Sequence, residues 1–265
     1  MTKKAIVFDN SGTLIERFRV IKDVSTGELI THINSLNLID SFLNAALVVL
    51  QFNTNCLKGL DPNTLISDFV IENNIDFDIS YYSTDVSKEE ITAILEKDTA
   101  IIKDITDTFP LLKERVPNME LCNGSAVIID IAEERIAYTI TSAGQLFSGV
   151  KETIAKLQDN DIDVFIASGD RSAAIKRLAD ITGVPEGHAF ATASTHRKAE
   201  IVANLQEKGY KVMMVGDGPN DILAFKQADS AVLTTEQKDG DFPDKLKNYA
   251  DFVIGDISEV LQIDF

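Results

Sequence analysis

Apolar residues recur in this chain with two different rhythms. From residue 149 onward, short unbroken apolar runs alternate with stretches of helical period. IDVFIA (162–167), KVMMV (211–215), SAVLT (230–234) and FVIG (252–255) predict buried strands, and HAFAT (188–192) a weaker one. Helices are predicted between them over 149–158, 171–182, 195–208, 221–227 and 242–249, with a last helical turn at 257–262. Such alternation predicts a parallel sheet with helices on both faces. KAIVF (4–8) is a further unbroken run and is assigned to the same sheet.

The segment between reads differently. Residues 17–33 alternate around Ser25-Thr26-Gly27 and predict a β-hairpin, as do 125–131 and 135–141 around Ala132-Glu133-Glu134. Ser41 to Phe52 is apolar on a broad face and predicts a helix. Asp61-Pro62 predicts the start of another, with proline at its first position. Ser87-Lys88-Glu89-Glu90 is a capping box that opens a helix running to about Thr108. The expected architecture is α/β: a doubly wound parallel sheet from residues 1–16 and 142–265. A flap hairpin and an inserted, mostly helical cap occupy 17–141, with the helical part at about 34–118.

Composition narrows the function. The 265 residues are 45% hydrophobic and 25% charged, which is ordinary for a globular chain. Lys and Arg number 25 against 42 Asp and Glu, a formal charge of −17 that repels nucleic acid and anionic membranes. The two cysteines, Cys56 and Cys122, have no CxxC partner, which disfavours a disulfide framework and fits a reducing cytoplasm. Leu38 to Phe52 is interrupted by Asp40, Asn44 and Gln51 and is too short to span a bilayer. The start, MTKKAIVFD, passes from two lysines into a strand, so no cleavable leader is expected.

In open α/β sheets, ligands bind at the carboxyl ends of the strands. The predicted strands deliver Asp9, then Ser168-Gly169-Asp170, then Gly216-Asp217-Gly218-Pro219-Asn220-Asp221 there, and a helix start brings Lys198. Close carboxylates resist joint ionisation without a cation, and Mg²⁺ suits carboxylates that also face substrate oxygens. A lysine and a Ser-Gly turn suit a phosphoryl group. These parts suit phosphoryl transfer, in which an aspartate can be the nucleophile.

With these residues in order, the chain resembles the haloacid dehalogenase superfamily. Asp9-Asn10-Ser11-Gly12-Thr13 is similar to its first motif, Ser168-Gly169-Asp170 to the second, Lys198 in KAEIVANLQEKGYKVMMVGDG to the third, and Gly216-Asp217-Gly218-Pro219-Asn220-Asp221 to the fourth. The GDGxND box and the SGD turn are most similar to the phosphorylation domain of P-type ATPases. The resemblance implies that Asp9 attacks phosphorus and that Asp9, the Ser11 carbonyl and Asp217 hold Mg²⁺ with Asp221 supporting them. It further implies that Ser168, Gly169 and Asn220 contact the substrate, and that Lys198 quenches charge. It implies a phosphorylated small molecule or nucleotide as substrate, without nucleic-acid or membrane partners.

The sequence departs from the usual phosphatase at Ser11, where the second aspartate of the first motif acts as acid and base. Slow hydrolysis of an aspartyl phosphate is expected. Thr26-Gly27-Glu28 echoes the TGE loop of the pumps, but it follows the nucleophile rather than preceding it and reads first as a hairpin turn. His32, His188 and His196 lack metal spacing. Tyr81-Tyr82 reads as packing within the cap. A non-catalytic Mg²⁺- and phosphate-binding module, and a soluble ATPase, stand as alternatives.

Overall fold

The computed structural model describes residues 3–31, 38–39, 41–117, 121–237 and 244–265. His32, residues 32–33 at the end of the first hairpin, and residues 242–243 of the expected helix at 242–249 lie outside them. The chain forms two compact units, Met1–Arg17 with Gln145–Phe265, and Phe18–Gly144. The strands in chain order are β1 (Lys3–Phe8), β2 (Ile15–Asp23), β3 (Leu29–Ile30), β4 (Ala45–Leu50), β5 (Phe77–Tyr82), β6 (Leu121–Asp130), β7 (Arg135–Leu146), β8 (Ile162–Ala167), β9 (Ala189–Phe190), β10 (Tyr210–Gly216), β11 (Ser230–Thr234) and β12 (Phe252–Ile254).

The first unit is built on a parallel sheet in the order β12-β11-β10-β1-β8-β9. β1 lies between β10 and β8, and Ala5, Ile6, Val7 and Phe8 are all fully buried, which explains why its sequence is an unbroken apolar run. Phe8 pairs with Val215 on one side and Ile166 on the other. That register sets the carboxyl ends of three strands level with one another.

Helices connect the strands. In the helix Thr195–Glu207, Lys198, Ile201, Val202 and Leu205 are the buried residues, one stripe of helical spacing. Ser194 caps it, its hydroxyl accepting from the Arg197 amide at 3.2 Å. The helix Ser172–Thr182 ends at Gly183, whose φ of 75° is the left-handed cap that glycine adopts without strain.

The second unit corrects the expectation of a mostly helical insert. It holds a six-stranded sheet, β3-β2-β7-β6-β4-β5, in which β2–β3, β7–β6, β6–β4 and β4–β5 pair antiparallel. Residues 45–50 are the strand β4, not part of a helix over 41–52. Ala46, Val48 and Leu50 pack into one apolar cluster with the helices, while Ala45 and Leu47 pack into a second on the opposite face. A strand buried on both faces shows no alternation, and a continuous run alone does not separate strand from helix.

Three other expectations are corrected. The helix after Asp61-Pro62 starts at Ile66, because Thr64 and Ile66 bond to Ile102 and Ala100 and hold the chain extended there. Asp61 instead accepts from the Asn63 amide at 2.9 Å in a local turn. The capping box at Ser87 is present, but its helix spans only Lys88–Leu95. Asp98 then takes the amides of Ala100 and Ile136, both at 2.7 Å, and separate helices follow at Ile102–Thr106 and Phe109–Arg115. The strand β5 is an element that the sequence pattern does not announce, and Tyr81 and Tyr82 on it are 36% and 46% exposed.

A buried cation fastens this unit. Lys22 on β2 is 7% exposed in its side chain and donates to Asp104 Oδ1 at 2.8 Å and Asp107 Oδ2 at 2.7 Å. The two carboxylates lie on and just after the helix Ile102–Thr106. Burial by itself would depress the lysine, but these partners raise its pKa. Removing one member of such a set strands the others. Lys22→Ala is expected to lower the unfolding free energy by roughly 3 kcal/mol in urea titrations, with Lys22→Met costing less. A loss under about 1 kcal/mol for Lys22→Ala would show that the cluster does not fasten the helix to the sheet.

Candidate active site

Asp9 continues β1 by one residue, its amide donating to the Val215 carbonyl at 2.9 Å. The chain then turns sharply. The Asn10 carbonyl accepts from Thr13 at 3.2 Å, Leu14 at 2.8 Å and Ile15 at 2.9 Å, and the Gly12 amide donates to the Ile15 carbonyl. Gly12 has φ of 86° and faces Asp217, so that a Cβ here would overlap the carboxylate. Only glycine satisfies both demands. Gly216 meets only the second demand, since a Cβ there would overlap the Asp221 side chain. The first and fourth motifs therefore interlock at Gly12, and Gly216 lets the fourth motif fold back on itself.

Lys198 reaches this edge from the apolar stripe of its helix. Its Nζ lies 2.6 Å from Asp9 Oδ1 and 2.7 Å from Asp221 Oδ1. The three side chains are 2%, 5% and 0% exposed. The second oxygen of Asp221 accepts from the Gly218 amide at 3.2 Å, so both its oxygens are engaged. Ligand oxygens of Asp9, Asp217 and Asp221 all fall within 4.8 Å of one another.

Three carboxylates against one ammonium leave an excess of negative charge with little water to screen it. Burial, then the charge of Asp221, push the Asp9 carboxyl up to about 8, although Lys198 opposes this. Burial and Asp221 also push Asp217 up to about 6, against the opposing fields of Arg17 and Lys198. Burial would lower Lys198, but Asp9 and Asp221 raise it, so it stays an ammonium. A cation among these oxygens would balance the charge that raises Asp9 and Asp217. A hard divalent ion with oxygen ligands fits this donor set.

The other anticipated residues are placed as follows. Ser168 is buried at the end of β8, its amide bonded to the Phe190 carbonyl at 3.0 Å. Gly169 beside it is exposed, and Ser11 is partly buried. Asn220 is exposed in the short turn Pro219–Asp221, and its side chain folds back over Gly218. Glu28 belongs to the β2–β3 turn of the second unit, where Gly27 has φ of 76°. His188 stacks on Phe165 with ring centroids 4.0 Å apart, and His196 is exposed.

Three contacts at this edge have no local signal in the sequence. Asn10 donates from Nδ2 to Asp170 Oδ2 at 2.6 Å, linking loops 160 positions apart, and no local pattern announces this. Arg17 acts on Asp217 by its charge, while its amide and carbonyl are both bonded to the Gln237 side chain. Gly12 belongs to the first motif, and its closeness to Asp217 arises only from the fold. A usable signal did exist for Lys198, since a lysine on the apolar stripe of a helix needs a buried partner.

Residues 3–229 match the family described as haloacid dehalogenase-like hydrolase. A Methanocaldococcus jannaschii protein described as a soluble P-type ATPase-like phosphatase is 38% identical over 264 residues, covering 98% of this chain and 93% of that protein. An Enterococcus hirae protein described as a probable copper-importing P-type ATPase is 36% identical over 109 residues. There the match covers 41% of this chain and only 15% of the relative. Among solved structures, the catalytic domain of the CPx-ATPase CopB-B aligns over 98% of this chain and 88% of its own, with a TM-score of 0.51 at 18% identity, a likeness of fold. Among the described residues no helix is long and apolar enough to cross a membrane. With its parallel sheet, its acidic strand-end cluster and this match over most of its length, the chain belongs to the haloacid dehalogenase-like hydrolase family.

Proposed function

We propose that this chain is a Mg²⁺-dependent phosphatase that works through an aspartyl phosphate on Asp9, acting on a phosphorylated small molecule or nucleotide. One observation carries the reading: Asp9, Lys198, Asp217 and Asp221 meet at the carboxyl edge of the sheet, with Lys198 bonded to two of the carboxylates. The M. jannaschii relative, described as a phosphatase, supports hydrolysis.

In this reading an Asp9 oxygen forms the new bond to phosphorus while the bond to the leaving oxygen breaks. The leaving oxygen departs with the electron pair and takes a proton from water. A second water then attacks phosphorus as the bond between the Asp9 oxygen and phosphorus breaks; its proton goes to the hydroxide left by the first step, and inorganic phosphate and the Asp9 carboxylate are released. Lys198 restrains Asp9 through Oδ1 and offsets the charge that gathers in the transition state. Asp9, Asp217 and the Ser11 carbonyl would hold Mg²⁺, which supplies charge neutralisation and orientation for the phosphoryl oxygens. Asp221, with both oxygens engaged by Lys198 and Gly218, positions the ammonium. Ser168, Gly169 and Asn220 are the proposed phosphoryl contacts.

Ser11 lies two residues past the nucleophile and has no proton to offer at the needed acidity. A positioned acid–base group contributes about 10²–10⁴-fold, so both halves of the reaction are proposed to be slow. Good leaving groups suffer least.

Asp9→Asn is expected to abolish Mg²⁺-dependent turnover of an aryl phosphate, measured by phenolate release; turnover persisting in that variant would refute the mechanism. Ser11→Asp is expected to accelerate turnover by about tenfold or more and to shorten the lifetime of phosphate trapped on the protein. An unchanged lifetime would sever Ser11 from the slow step.

The raised carboxyls also set a pH dependence. Between the ordinary carboxylate range and about 8, the metal-free folded chain keeps a proton at Asp9 that the unfolded chain has lost. Folded-state binding of more protons makes stability fall as pH rises through that window. Asp217 contributes with the same sign up to about 6. In EDTA the urea midpoint is expected to fall from pH 6 to pH 8.5, less so in Asp9→Asn. Added Mg²⁺ is expected to restore more stability at the higher pH, because its ligands must be deprotonated. Equal midpoints in EDTA across that range would contradict the buried charge imbalance.

A further inference from the structure

Asn10 and Asp170 stand on different strand-end loops, and the reaction set out above uses neither. Asn10 Nδ2 donates to Asp170 Oδ2 at 2.6 Å, and Ser168 Oγ donates to the same oxygen at 2.9 Å. Two donors from two loops thus close on one anionic oxygen. Both donor residues are almost wholly withdrawn from water, Asn10 at 1% and Ser168 at 2% exposure. Ser168 is the hydroxyl assigned to the phosphoryl group. A hydroxyl has a single proton, and this one is committed to a carboxylate.

A structural tie between loops is the plainer explanation, but the backbone already holds both. Ser168 is bonded to Phe190 through its amide and to Ala193 through its carbonyl, and the Asp170 carbonyl accepts from Thr192 at 2.9 Å. The Asn10 carbonyl takes three amides of its own turn. What the side chains add is a pair of buried donors aimed at one negative oxygen. That arrangement also suits a non-bridging phosphoryl oxygen, which resembles a carboxylate oxygen in charge and acceptor capacity.

We propose that Asn10 Nδ2 and Ser168 Oγ form a two-donor seat for a phosphoryl oxygen, and that the Asp170 carboxylate holds this seat until substrate arrives. The inference rests on the reading of this edge as a phosphoryl site. Asp170 then determines specificity, because an entering anion must displace it and take over both donors. Free phosphate, gaining no binding energy from a leaving group, competes with it poorly. Asn10 is thereby a substrate-binding residue.

The test is calorimetric titration of inorganic phosphate at saturating Mg²⁺. Asp170→Ala is expected to bind phosphate about tenfold tighter than the parent, the scale of one hydrogen bond to a charged group. Asp170→Asn should fall between the two. Asn10→Ala placed in the Asp170→Ala background should return the affinity to that of the parent or below. Affinity that is unchanged, weaker or undetectable in Asp170→Ala overturns the proposal. If Asp170→Ala does not fold by circular dichroism, the direction of change in Asp170→Asn decides instead. Turnover is not the readout, so loss of the hydrolase reading with a tightened phosphate affinity, and the reverse, are separate results.

Discussion

Everything at the carboxyl edge of the parallel sheet follows from crowding three carboxylates, two of them buried and one half-buried, beside one ammonium. Lys198 can neutralise one negative charge, and it divides itself between Asp9 and Asp221. Asp217 is opposed first by the field of Arg17 and then by that of Lys198, and its carboxyl still lies above the ordinary range. The surplus holds the Asp9 and Asp217 carboxyls above the ordinary carboxylate range. The same surplus is what a divalent cation would relieve, so a local cost to stability and a capacity for chemistry have one origin.

Close approach is the second condition. The carboxylates converge because no side chain stands between the turns that carry them. Gly12 leaves room for Asp217, and Gly216 for Asp221. The register of β1 between β8 and β10 sets those turns level, since Phe8 is paired with both Ile166 and Val215. A shift of one residue in β1 would turn Asp9 to the other face of the sheet.

The inserted unit answers the problem of buried charge differently. Lys22 is matched by Asp104 and Asp107, and those carboxylates keep some access to water, with 14% and 32% of their side chains exposed. Lys103 also pairs with Asp107 at 2.6 Å, so two ammoniums meet two carboxylates, and the cluster holds a helix to a sheet. At the strand edge the balance is left open. The contrast separates an ionic cluster that stabilises from one suited to a reaction.

Much of the site was legible in the sequence because its residues sit at ends of apolar runs, and the rhythm of those runs is set locally by backbone geometry and burial. Asp9 after KAIVF, the SGD turn after IDVFIA and the GDGPND turn after KVMMV could all be ordered along one edge by topology alone. The insert was less legible. β4 is apolar on both faces, so the period that distinguishes strand from helix is erased, and only its neighbours β5 and β6 decide the matter. The helices after Ser87 break where Asp98 captures amides from two distant segments, an event with no local signature. The pairing of Asn10 with Asp170 likewise exists only because β1 and β8 are adjacent. Sequence by itself determined which side chains arrive at the edge. Tertiary structure decided which of them touch, because a hydrogen bond between residues 160 positions apart depends on strand order and register, and neither is encoded in any short stretch of chain.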